Sequence, residues 1–317
     1  MELHVEHYNS LLNSEINLSL QDSIFISDHL GGFNKELTCK ILESLNEQNF
    51  TKDIYTLYCV TDCLKKKYPN IKFSVDKQYK MNLCHFENYN MHPEINLKNF
   101  VCSFNGSNHI SRQLLASTLY KFNYFNENYC SKNNTNSGSN IDNYVSWYVH
   151  NAQFYLKFFD CTNDFNKQIV SFAYERFDHN KNIYTLAQKL TESFLHIVSE
   201  TMADSYYPFV TEKFLYSVVN RGLFLTYAQP GWHKIIESNY GFRLYKNLFD
   251  YRFDSIINPI ERLIELMCMI SNFSKLTTDE WHDLYLLESD SIEYNYDHYF
   301  SKSYLKSLKT IDNTSTI

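Results

Sequence analysis

One order of elements recurs along this chain: a short apolar run rich in β-formers, a glycine or asparagine turn, then residues at helical spacing. Ser23-Ile24-Phe25-Ile26-Ser27 is followed by Asp28-His29-Leu30-Gly31-Gly32 and by a helical pattern from Asn34 to Leu45. A second strand pattern, Ile54 to Val60, leads through Asp62 to Lys67 into a third, Ile71 to Val75. A strand whose successor is reached through a helix returns parallel to it, so this alternation predicts an α/β fold on parallel sheets. Residues 1–98 therefore read as one Rossmann-like half.

The same grammar restarts after residue 98. Asn99 to Phe104 reads as a strand, Asn105-Gly106-Ser107-Asn108 as a turn, and Ile110, Leu114, Leu115, Thr118 and Leu119 recur at helical spacing. The polar stretch from Cys130 to Asp142 reads as a loop. Beyond it the pattern predicts a helix over 184–192, a strand from Phe194 to Ser199, a loop over 200–210, a helix over 211–221 and a strand from Leu223 to Tyr227. Gly222 stands where that helix would stop. Gly241-Phe242 begins a further short element, and Asn258-Pro259 opens an amphipathic helix running to about Phe273. Helical character returns from Asp279 to about Leu308. The expected organisation is a Rossmann-like domain over 1–98, a second over 99–290, and a helical tail over 291–317.

Composition narrows the function classes. A formal net charge of −7 argues against a surface that tracks nucleic acid throughout, because phosphate neutralisation needs a dense field of Lys and Arg. The eight cysteines show no C-x-x-C pair and read as free thiols of a reducing compartment. The start, Met1-Glu2-Leu3-His4-Val5-Glu6, is acidic with no apolar run behind it, and no stretch approaches the roughly 20 apolar residues of a membrane span. The expected location is the cytoplasm, that of a host cell if the AT-rich codon usage implied by abundant Asn, Lys, Ile and Tyr is viral rather than bacterial.

The chemistry concentrates in two blocks. In the first, the Phe194 to Ser199 strand ends at Glu200, a loop passes Phe209, and a helix begins with Thr211-Glu212-Lys213. A helix start offers unpaired N–H donors and about half a unit of positive charge to a diphosphate. Thr211 fits as its N-cap. Lys213 adds a mobile cation for phosphate oxygens, and Glu212 is an acceptor suited to ribose hydroxyls. In the second block, Asn105 ends a strand and Arg112 lies on the helix that follows; its planar fork can bind two oxygens at once.

These blocks resemble the α1,3-fucosyltransferase family, in which a Tyr-Val-Thr-Glu-Lys segment follows a Phe-Glu-Asn-Ser strand end, and related viral and bacterial glycosyltransferases with an Asp-x-x-x-Asp segment downstream, here Asp250-Tyr251-Arg252-Phe253-Asp254. The similarity covers roughly residues 99–273, about half of the 317. Phe209 replaces the family's Tyr, and His196-Ile197-Val198-Ser199-Glu200 replaces its Phe-Glu-Asn-Ser. The resemblance implies two Rossmann-like domains facing a cleft, of the GT-B type, with the tail crossing back to the first domain. It also implies transfer of a sugar from a nucleotide-sugar donor, GDP-linked by analogy, to a glycan.

Asn105, Arg112, Glu200, Phe209, Thr211, Glu212 and Lys213 are the expected donor-binding set. The departing diphosphate would be stabilised by Arg112 and Lys213 with no metal and no other cofactor, in keeping with the lack of a compact Asp-x-Asp motif. An inverting reaction needs a base for the acceptor proton, and Asp28 and His29, beside Gly31 and Gly32 at the end of the first strand, are best placed. Glu87, in His85-Phe86-Glu87-Asn88, is a weaker alternative at a spacing unlike the family's. The acidic chain favours a cell-surface glycan acceptor. Hydroxymethylated bases of viral DNA are a second acceptor class, and a noncatalytic nucleotide or glycan binder is the alternative outside enzymes.

Overall fold

The computed structural model describes residues 2–4, 24–27, 42–47, 49, 51, 53–56, 68–75, 86–89, 94–105, 110–124, 129–132, 179–200, 203 and 210–305. They form an α/β protein with two four-stranded sheets, and every described strand pair is parallel. The first sheet holds β1 (Glu2–His4), β2 (Ile24–Ser27), β3 (Asp53–Thr56) and β4 (Lys72–Val75), in the order β1-β2-β3-β4. β1 was not expected, since three residues are too few to display an alternation. The helix expected from Asn34 to Leu45 is seen as helical residues 42–47.

The second sheet holds β5 (Asn99–Asn105), β6 (Tyr129–Lys132), β7 (Ser193–Ser199) and β8 (Leu223–Tyr227), in the order β6-β5-β7-β8. All residues of β7 and β8 are buried, as strands covered on both faces must be. Neighbouring residues of β5 enter different clusters: Val101 joins the main core with Leu114, Leu115 and Leu195, and Cys102 packs with Leu186 and Leu190. The helices over this part are α1 (Ile110–Lys121), α2 (His179–Thr191), α3 (Lys213–Val219), α4 (Trp232–Tyr240), α5 (Pro259–Ser271), α6 (Thr278–Leu287) and α7 (Ser289–Phe300). None among the described residues is long and apolar enough to cross a membrane.

Several boundaries differ from the expectation for local reasons. Residues 130–132, read as loop, complete β6, because backbone pairing with β5 does not depend on their polarity. α3 spans only Lys213–Val219, and the residue that stops it is Arg221, in the left-handed region at φ 52°, rather than Gly222. That conformation is disfavoured for a side chain. It is held by the Arg221 guanidinium against Glu293 (2.8 Å) and over the Tyr296 ring (3.6 Å), and by the Tyr285 hydroxyl donating to the Arg221 carbonyl. Gly241 ends α4 instead of beginning an element: its φ of 75° and its N–H bond to the Glu237 carbonyl form a left-handed cap. α5 opens as expected, with the Asn258 side chain accepting from the N–H of Ile260 and Glu261 and Pro259 in the first turn.

The later helices lock onto the second sheet. Asn295 of α7 accepts from the Arg243 N–H and donates to its carbonyl, the Tyr299 hydroxyl accepts from the Phe86 N–H, and Tyr89 donates to Asn220. Phe86, Tyr89 and Leu97, which precede β5, share the core of β5, β7 and β8.

Candidate functional site

The strand order places the site. From β5 the chain steps outward to β6, then returns to the other side of β5 to lay down β7. The carboxyl ends of β5 and β7 therefore flank the point where the winding direction reverses, and in open parallel sheets ligands bind outside the carboxyl ends at such a point. Asn105 is the last residue of β5, and Glu200 directly follows β7. The described strands of the first sheet step in one direction only and show no such reversal.

Glu200 organises this edge. Its carboxylate is fully buried and accepts from the Thr211 backbone N–H at Oε1 (2.9 Å) and from the Thr211 hydroxyl at Oε2 (2.7 Å). The Lys213 ammonium donates to the Thr211 hydroxyl oxygen (2.7 Å), with Glu212 Oε1 at 3.4 Å and Glu200 Oε2 at 3.9 Å. Burial pushes the Glu200 carboxyl above its ordinary range, while the Lys213 charge and the Thr211 bonds pull it back. From the other side, the Ser111 hydroxyl at the start of α1 donates to the Glu200 carbonyl (3.1 Å). Its neighbour Arg112 is 6% exposed. Asn105 is also buried, its amide donating to Ser103 (3.0 Å).

Lys213 thus borders this strand end, and Arg112 follows in sequence the serine that binds it from α1. Thr211 is not the helix N-cap, a position that falls to Glu212. It serves instead as the partner of Glu200. With seven residues, α3 is too short for its dipole to add much, so the cationic character of the edge comes from side chains. Ser111 escaped the sequence reading, although a hydroxyl one position before the expected arginine was a usable signal.

Asp28, His29, Gly31, Gly32 and Phe209 are outside the described residues. Glu87 forms an ion pair with Lys302, beyond the end of α7. Asp250 precedes a 3-10 turn over Tyr251–Ser255, and Asp254 lies within it. Asp250 caps that turn and pairs with Arg252. Asp254 accepts from the backbone N–H of His233 and Lys234 at the start of α4, and from His233 Nδ1 (2.8 Å). His233 Nε2 in turn accepts from the Thr226 N–H, which fixes the neutral tautomer with its proton on Nδ1.

Arg262, buried on α5, donates to the carbonyls of Ala203, Ala228, Ile256 and Ile257, so it fastens the loops around this edge. Another buried carboxylate, Glu192, sits at the opposite, amino-terminal end of β7. It binds Lys98 (2.6 Å), Tyr129 and Gln188, which hold it well down, at about 2.

No protein-family model, curated protein or solved structure matches the chain.

Proposed function

We propose that this chain is a glycosyltransferase using a nucleotide-sugar donor, with the donor diphosphate held at the winding reversal of the second sheet. The observation that carries the reading is the Lys213 ammonium from α3 held against the buried Glu200 strand end, with Arg112 of α1 adjacent in sequence to Ser111, which binds the Glu200 carbonyl. In sugar transfer the bond between the anomeric carbon and the diphosphate oxygen breaks, and negative charge grows on the leaving oxygen. Cations fixed in a poorly solvated edge stabilise that charge more in the transition state than in the ground state. The motif similarity and the lack of a compact Asp-x-Asp sequence support transfer without a metal, and a glycan acceptor follows from the same similarity. Asp28 and His29 stand as candidates for the base that takes the acceptor proton.

Binding of GDP, UDP and CMP, measured calorimetrically on wild type and Lys213→Ala, tests the site. Loss of a charge-assisted phosphate contact is expected to weaken the preferred nucleotide by about tenfold or more. Equal affinity in both proteins removes the phosphate site. Incubation with a panel of nucleotide sugars then separates a transferase from a binder, since only the former releases nucleotide when acceptor is added.

A further inference from the structure

Glu200 was expected to touch the donor, yet both of its oxygens are already taken by one residue. Oε1 accepts the Thr211 backbone N–H and Oε2 the Thr211 hydroxyl, in a side chain that solvent does not reach. A hydroxyl has one proton and two lone pairs. With the proton directed at Glu200, the lone pairs remain for Lys213, whose Nζ lies 2.7 Å away and whose backbone N–H lies 3.4 Å away. The direction of donation is therefore set: ammonium to hydroxyl, hydroxyl to carboxylate. An ionised carboxylate accepts both donors, and the Lys213 ammonium 3.9 Å away offsets that charge. Glu212 is the other carboxylate facing the ammonium, at 3.4 Å.

We infer that Glu200 is a positioning residue: acting through the Thr211 hydroxyl, it fixes the Lys213 ammonium at the carboxyl edge of the second sheet, where it awaits an anionic ligand. That the ligand is a nucleoside diphosphate rests on the function proposed above. A lysine side chain carries about 2 kcal/mol of rotamer entropy, so a tethered ammonium meets a phosphate at lower cost than a free one. Replacing Glu200 with glutamine puts an N–H₂ donor where an acceptor stood. The Thr211 hydroxyl must then turn, and Lys213 is left with its longer contact to Glu212.

Two measurements on the full chain separate the parts of this proposal. The first needs no nucleotide: the acetylation rate of Lys213 by acetic anhydride, read by peptide mass spectrometry at fixed pH. Glu200→Gln and Thr211→Val are expected to speed it severalfold, and Thr211→Ser, which keeps the hydroxyl, restores the wild-type rate. Melting curves confirm that each variant folds, and Thr211→Ser keeps the comparison meaningful if the valine variant does not. An unchanged rate in Glu200→Gln overturns the positioning role. The second is a double-mutant cycle with GDP and UDP: Thr211→Val weakens binding by about tenfold in the wild-type background and adds nothing once Lys213→Ala is present. Additive losses overturn the role by making Thr211 a direct ligand contact. A wild type that binds neither nucleotide refutes the donor site, while the acetylation rates still decide whether Glu200 holds Lys213.

Discussion

At position 222 there is no room for a side chain. A Cβ there would lie 2.0 Å from His196 Cε1 and 2.4 Å from Nδ1, and the ring cannot withdraw because Nε2 donates to the Leu190 carbonyl at 2.8 Å. Gly222→Ala is therefore expected to cost about 3 kcal/mol in urea unfolding, and little when combined with His196→Ala, which vacates the space. Burial also holds the His196 imidazole down at about 4, against an ordinary 6.5. The folded state keeps the ring neutral where the unfolded chain takes up a proton. Its contribution is complete above 6.5 and is lost as pH falls from there through about 4. Melting temperatures at pH 7 and pH 5 should diverge for wild type and converge for His196→Phe, provided that variant folds.

Elements whose signals are local were legible in the sequence. β8 is bounded by Gly222, α5 carries its own Asn258 cap and Pro259, and the switch from β5 into α1 shows as a change of hydrophobic period. α4 was not legible, since its first turn is capped by Asp254, whose sequence position gives no hint of that pairing. β6 was missed because a strand completed by its neighbour's backbone need not be apolar itself. The two kinds of cap should differ in weight. Removing the local capping box of α6 by Thr277→Ala is expected to cost about 1 kcal/mol, the usual size for a cap. Asp254→Ala strips two α4 amides and leaves the buried His233 Nδ1–H without its acceptor, so a loss of about 3 kcal/mol is expected. Chemical unfolding of both variants against wild type checks the ordering.

Over the whole molecule, the approach of Lys213 to the Glu200 strand end followed from strand-end position. The use of Glu200 did not, because a carboxylate ending a strand reads the same in sequence whether it faces a ligand or a threonine. Arg262 ties that edge together, and Arg262→Met, which abandons four carbonyls, is expected to destabilise the protein by about 3 kcal/mol and loosen the site with it. At the opposite edge, Glu192 contributes stability that is complete above its ordinary 4.5 and disappears as pH falls toward about 2, so Glu192→Gln should flatten acid unfolding in that lower range. The parallel pairing of β5 with β7 carries a further consequence for how the protein is made. Asn99 finds its neighbour Ser193 only after some ninety residues of intervening chain have been synthesised. A nascent chain spends that interval with the middle of its sheet open on one side, at the stage when wrong partners and chaperones compete most effectively for an unpaired strand.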